Sequence, residues 1–296
     1  MRSRSLAGNT PGAADRSQTE DGQRHRGGGR RRLYIVGIGP GGPEHLSRRA
    51  AQVLETVEAV SGYTTYIDLI RPLIEGKQIV STAMKKEVDR VSAALELALS
   101  GTSCAVVSSG DPGVYAMAGL VLEMCREQAI AIGRSEKAED SDRLFIEVVP
   151  GIPALCSGAS LLGAPLTHDF AAISLSDLLT PWAAIETRLD AAARADFVIV
   201  IYNPKSRRRA EHLTRAQKVI LKHRNPSTPV GIVTGAMREN QRVTLTTLKD
   251  LHRAEVDMQT TVFVGNSVTF SYEGYMITPR GYAKKYNIGT SETKTP

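Results

Sequence analysis

Three short runs place glycine and proline directly after apolar, β-branched stretches: GIGPGGP (37–43), SSGDPGV (108–114) and VPGIPA (149–154). The first contains Gly37-x-Gly39-x-x-Gly42, the spacing of a dinucleotide-binding turn. In such a turn the glycines let backbone N–H groups and a helix N-terminus meet a pyrophosphate. Here Pro40 and Pro43 each remove an N–H from that cradle. A dinucleotide site also needs an acid at the end of the second strand to hold a ribose hydroxyl. Ser61 and Gly62 occupy that stretch, with Glu58 inside it. The spacing alone is therefore weak, and the dinucleotide reading loses.

In the second run Gly110 lets backbone approach a ligand, Pro112 stiffens the turn, and Asp111 offers a carboxylate acceptor. The plainer reading of Asp111 is a helix N-cap. None of the three runs contains Lys or Arg. Loops of this kind, at the carboxyl ends of strands, converge on the crevice where open α/β sheets bind ligands. Their chemistry suits a phosphate-poor, zwitterionic or cationic nucleoside, of which S-adenosylmethionine is one.

The elements that must position these loops alternate in type. LYIVGI (33–38), VEAVS, KQIVS, SCAVVSS and LFIEVV read as strands. PEHLSRRAAQVLETV (43–57), the stretch from Lys85 to Gly101, and GVYAMAGLVLEMCREQ read as helices. This βα alternation predicts a mainly parallel first sheet with helices on both faces. Composition resets at GAPLTHDF (163–170), and a second series begins, with strands AAISLS, DFVIVIYN, PVGIVTG, RVTLTT and TVFVGN. The last two are joined by too little chain for a full helical crossover, so the second sheet is expected to be mixed. The expected organisation is a basic tail (1–32), an N-terminal α/β domain (33–168), a C-terminal α/β domain (169–284) and a flexible C-terminus (285–296).

The net charge of +6 over 296 residues is concentrated in that tail, where eight arginines face three acids; the rest of the chain is near neutral. A segment so poor in apolar residues is expected to be disordered. It lacks the apolar stretch of a secretory signal, and no run is long enough to span a membrane. Cys104, Cys125 and Cys156 are odd in number and set among apolar residues, which suits neither a disulfide framework nor a metal site. The expectation is a cytoplasmic protein without metal; nucleic acid is a weak candidate partner, through the tail alone.

VGIGPGGPEHL, SSGDPGVYAMAGL and VVPGIPAL, in that order, resemble the tetrapyrrole methylases, which use S-adenosylmethionine. SGYTTYIDLI, GAPLTHDFAAISLSDLLTPW, YNPKSRRR, TPVGIVTGAMRENQRVTLTTL, VDMQTTVFVGNS and YMITPRGY are similar to the branch acting on precorrin-3B or cobalt-factor III. The resemblance implies two α/β domains with the cofactor in the cleft between them. It implies methylation of C17 with contraction of the macrocycle, in cobalamin biosynthesis, by a homodimer. S-adenosylhomocysteine is the implied product, and the partner is a polycarboxylate tetrapyrrole. Carried over by position, Pro40 lies in the first loop beside the substrate trough and is a cofactor-binding candidate, and Gly110, Asp111, Val114, Pro153 and Ala154 contact the cofactor. From the second domain come Tyr202, Asn203, Gly235, Ala236, Thr260 and Thr261.

Ring contraction needs proton transfer near the macrocycle. Tyr63 and His168 are the candidates named for it, with Tyr66, Asp169 and Lys85 behind them. Lys85, Arg207 and Arg208 follow strand ends and could meet substrate carboxylates. A methylase of the same fold acting on another precorrin position, RNA or protein remains the alternative reading, and a dinucleotide oxidoreductase a weaker one.

Overall fold

The computed structural model describes residues 30–134, 142–206 and 209–288. Its first sheet holds β1 (Arg32–Gly37), β2 (Ala59–Tyr63), β3 (Gln78–Thr82), β4 (Cys104–Ser108), β5 (Ile132–Gly133) and β6 (Leu144–Val149). All pairings are parallel, in the order β3-β2-β4-β1-β6-β5. Helices α1 (Arg48–Thr56), α2 (Thr64–Leu69), α3 (Glu87–Leu99) and α4 (Met117–Glu127) cover both faces.

The alternation along β1 shows why. Leu33 and Ile35 pack with Val91 and Leu95 of α3 and Val121 of α4, whereas Tyr34 and Val36 pack with Val53 and Leu54 of α1. A strand apolar on both faces can only sit between two helical layers. From β1 the chain passes β4 to reach β2; from β4 it passes β1 and β6 to reach β5. Neighbouring strands thus send their connections in opposite directions, and the crevice outside the carboxyl ends of β1 and β4 is a topological switch point.

Helix α5 (Ala154–Leu162) and strand β7 (Gly163–Ala164) lead to the second sheet, formed by β8 (Phe170–Ser174), β9 (Val198–Tyr202), β10 (Pro229–Thr234), β11 (Arg242–Thr247) and β12 (Thr260–Val264). The order is β11-β10-β12-β9-β8, with only β8 and β9 parallel. The sheet is mixed as expected, although β11 and β12 do not pair with each other. Both run antiparallel to β10, which lies between them. Helices α6 (Trp182–Arg194) and α7 (His212–Ile220) cover one face, and α5 covers the other. A hairpin of β13 (Phe270–Tyr272) and β14 (Tyr275–Ile277) adds β7 as its third strand, and a short α8 (Tyr282–Lys285) follows.

Two expectations about helices are corrected. The run 43–57 is a 3₁₀ turn at Pro43–His45 and then α1, because the Ser47 hydroxyl accepts from the Ala50 N–H (3.1 Å) and restarts the helix. The run expected to be helical from Gly113 begins its helix at Met117. The core of the second sheet also takes in chain that precedes the expected division at 168/169. In α5, Leu162 packs with Val200, Val233, Phe263 and Met276 of the second sheet and its hairpin. Close approach requires Gly158, where a Cβ would stand 2.7 Å from the Phe263 ring.

Candidate functional site

The first and second glycine loops are bonded together at the switch point. Gly39 N–H donates to Gly110 O (3.1 Å), Gly110 N–H donates to Gly39 O (2.9 Å), and Ile38 N–H donates to Ser108 O (2.9 Å). Gly39 and Gly110 have φ of +68° and +71°, which favours glycine. A Cβ on Gly37 would lie 2.6 Å from Gly151 N, and one on Gly151 would lie 2.2 Å from Gly110 O. These glycines pack backbone against backbone across three loops, leaving no room for a pyrophosphate at their junction. Glu58 is likewise no ribose ligand. It stands at the amino end of β2, where the Ser103 N–H and hydroxyl bond its carboxylate (2.8 and 2.9 Å) and lower its pKa.

Asp111 joins the second loop to the third. Gly113 N–H donates to its Oδ1 (2.8 Å) and Gly151 N–H to its Oδ2 (3.1 Å). It does not cap α4, whose N-cap is Ala116. Val114 N–H donates to Asp111 O (3.3 Å), and Gly110 faces Pro153 and Ala154 at the start of α5.

From the second domain, Tyr202 ends β9. Leu155 N–H donates to its phenol oxygen (2.8 Å), supplying the cap that Pro153 cannot. Burial pushes this phenol up to about 12. Its ring stands 5.1 Å from that of Tyr115, whose hydroxyl donates to Ala172 O on β8 (2.8 Å). Asn203 has a φ of +52° and donates from Nδ2 to Ser174 Oγ (2.9 Å). Gly235 has a φ of +58°, and a Cβ there would meet Asn240 Oδ1 at 2.4 Å; Ala236 packs with the α5-facing core. The two threonines divide. Thr261 shares the α5-facing side of β12 with Phe263, whereas Thr260 is turned the other way. Its hydroxyl bonds Thr234 Oγ1 (2.8 Å) and Asp257 Oδ1 (2.9 Å).

The remaining candidates separate by position. Tyr63 ends β2 and meets Tyr66 edge-on, with ring centroids 5.2 Å apart. Burial raises the pKa of Tyr66, with a smaller opposing effect from Arg238. His168 precedes β8, so it lies at the amino end of a strand whose carboxyl end adjoins Asn203. The five strand residues span about 17 Å at ~3.3 Å each. Its Nδ1 accepts from Asp169 N–H (2.9 Å). The structure does not bring His168 to the strand-end loops of the second sheet. Lys85 is exposed in the turn after β3, with a φ of +69°. Arg207 and Arg208 lie outside the described residues, as do the tail to residue 29 and the C-terminus from 289.

Sequence reasoning missed Arg238 and Tyr115. Arg238 reaches from the turn after β10 into the first domain, donating from Nε to Pro40 O (2.6 Å) and from Nη2 to Ser109 Oγ (2.8 Å). Both residues stand inside quoted motifs, but their partners are distant in sequence, and no local pattern points to them. A cationic or zwitterionic nucleoside fits what is present: hydroxyls, amides, the Tyr115–Tyr202 pair, and no Lys or Arg from the three glycine loops. Ser108, buried at the end of β4, also keeps a hydroxyl with no partner among the described residues. A separate pocket of about 400 Å³, lined by Ile232, Thr234, Arg242 and Thr244, opens on the α6–α7 side of the second sheet, opposite α5. Among the described residues no group of three or more His, Cys, Asp or Glu side chains could hold a metal, and no helix is long and apolar enough to cross a membrane.

Two α/β domains thus meet at the glycine loops and strand ends. Residues 32–252 match the Tetrapyrrole (Corrin/Porphyrin) Methylases, and the chain belongs to that family. It is 49% identical over 261 residues to the cobalt-factor III methyltransferase of Priestia megaterium, covering 88% of this chain and 47% of that protein. It thus spans about half the length of that relative. It is 46% identical to the probable cobalt-factor III C(17)-methyltransferase of Salmonella typhimurium, covering 84% of this chain and 99% of the other. The crystal structure of the methyltransferase CobJ superposes with a TM-score of 0.75 at 34% identity, over 83% of this chain and 99% of that one. The fold also matches uroporphyrin-III C-methyl transferase from Thermus thermophilus complexed with S-adenosyl homocysteine, with a TM-score of 0.58 at 23% identity, over 79% and 97% of the two chains.

Proposed function

We propose that this chain is an S-adenosylmethionine-dependent C-methyltransferase that methylates C17 of a cobalt-factor III or precorrin-3B type tetrapyrrole, with ring contraction, in cobalamin biosynthesis. The observation that carries the reading is the joined glycine loops of the first domain, set against strand ends of the second, in a chain matching nearly the whole length of a C(17)-methyltransferase relative. The cofactor supplies a methyl group on a sulfonium, already a good electrophile. The protein can then act by positioning, without a nucleophile of its own.

In this reading Pro40, Gly110, Asp111, Val114, Pro153 and Ala154 hold the cofactor from one side. Tyr202, Asn203, Gly235, Ala236 and Thr261 hold it from the other. Thr260 acts behind them, fixing the turn at Asp257 that sets up β12. Tyr63 and Tyr66, at the carboxyl end of β2, are the better-placed candidates for proton transfer during ring contraction. Lys85 and the Arg207–Arg208 segment are assigned to substrate carboxylates. The reading carries with it a cytoplasmic homodimer.

The test is calorimetric titration with S-adenosylhomocysteine and, separately, NAD⁺, followed by turnover of cobalt-factor III and precorrin-3B with mass detection of the methylated product. Binding of the first ligand alone, with methylation of either substrate, is the expected result. Dinucleotide binding without it would overturn the reading.

A further inference from the structure

Arg238 is partly buried, and burial lowers its pKa, yet no carboxylate pairs with it among the described residues. Its two hydrogen-bond partners among the described residues are neutral: the Pro40 carbonyl and the Ser109 hydroxyl. A guanidinium carries five N–H groups, so three remain, including both on Nη1. A cation withdrawn from water and left uncompensated is unfavourable, and such sites are normally completed by an anion.

The turn that presents Arg238 is held in place. Gly235 N–H donates to Gln259 O (3.2 Å), Met237 N–H to Gln241 Oε1 (2.8 Å), and Arg238 N–H to Gly235 O (3.0 Å). Met237 takes a φ of +59°, a conformation that persists only where its surroundings impose it. Gly41 lies so close to this turn that a Cβ would stand 2.0 Å from Met237 O. The fold therefore fixes a charged fork beside Pro40 and the second loop.

We propose that Arg238 is the anion anchor of the candidate site: two of its N–H groups clamp the first and second loops, and its remaining edge receives a carboxylate. The inference rests on the methyltransferase reading, which provides two carboxylate sources, the cofactor's amino-acid end and the acid side chains of the tetrapyrrole.

The wild-type chain, Arg238→Gln, Arg238→Lys and Ser109→Ala are titrated with S-adenosylhomocysteine by calorimetry and with cobalt-factor III by absorbance, each at two salt concentrations. Arg238→Gln is expected to weaken one probe by about tenfold or more and to flatten its salt dependence. Ser109→Ala, which removes a clamping bond and keeps the charge, should retain the salt dependence. Loss confined to the tetrapyrrole assigns the anchor to a substrate carboxylate, and loss confined to S-adenosylhomocysteine assigns it to the cofactor. Wild-type behaviour of Arg238→Gln overturns the anchor. So does a Ser109→Ala variant that reproduces the whole loss, since Arg238 would then be a clamp only. If Arg238→Gln does not fold, Arg238→Lys decides: retained salt dependence supports the anchor and its loss overturns it. If the wild-type chain binds neither probe, the methyltransferase reading falls, and citrate titrations of wild type and Arg238→Gln still decide the anchor.

Discussion

Asp111 spends one carboxylate on two loops, so its removal acts on fold and site together. Hydrogen bonds to a charged group contribute about 1.5–3 kcal/mol each. Asp111→Ala should therefore lower the melting temperature as well as weaken S-adenosylhomocysteine binding by roughly tenfold. Weaker binding with an unchanged melting temperature would mean that its bonds to Gly113 and Gly151 matter little. Tyr202 makes a prediction about alkali. Its folded pKa of about 12 lies above the ordinary tyrosine value of 10.0. The folded state then holds its proton more tightly, and the stability gained is complete below pH ~10 and lost as pH rises through the folded pKa. Denaturant titrations across that window should show this loss in the wild type and a smaller one in Tyr202→Phe. Asp111 stands out in the sequence by its place in a glycine loop after a strand, and Tyr202 only through the family resemblance. Arg238 and Tyr115 were not legible, because Arg238 meets Pro40 from 198 residues away and Tyr115 meets Ala172 from 57.

Elements were readable where periodicity had no competitor. β1 buries both faces, and its apolar run announced that; the helix expected at 43–57 failed because Ser47 offers a side-chain cap that the Pro43 turn lacks. The glycine loops were located correctly, but their function at the junction is mutual packing, which spacing cannot reveal. Gly151→Ala should therefore force the second and third loops apart and abolish S-adenosylhomocysteine binding, as read by calorimetry, while Gly119→Ala, in open space on α4, serves as the comparison for inserting a methyl group. The α5–β12 contact makes a separate prediction. Phe263 is fully buried between α5 and the second sheet, and Phe263→Ala should cost about 3–5 kcal/mol in a urea titration. A loss below about 1 kcal/mol would show that α5 is held by its loop rather than by its packing.

At the scale of the whole molecule, the family match begins at residue 32 and β1 begins at Arg32, so a deletion for function should stop before it. Removing residues 1–29 is expected to leave methyl transfer unchanged, and a fall in turnover would give the basic segment a role the fold does not explain. Fold class and sheet types followed from alternation and loop length. The place where one core gives way to the other did not, because α5 packs forward onto a sheet that the chain has yet to form. The Arg238 bonds to Pro40 and Ser109, and the Tyr115 bond to Ala172, then join the two units a second and third time. Such cross-bracing has a thermodynamic signature: neither half can melt without stripping the other of partners. Differential scanning calorimetry should record one transition, with matching calorimetric and van't Hoff enthalpies, and removing both braces should divide that single peak into two.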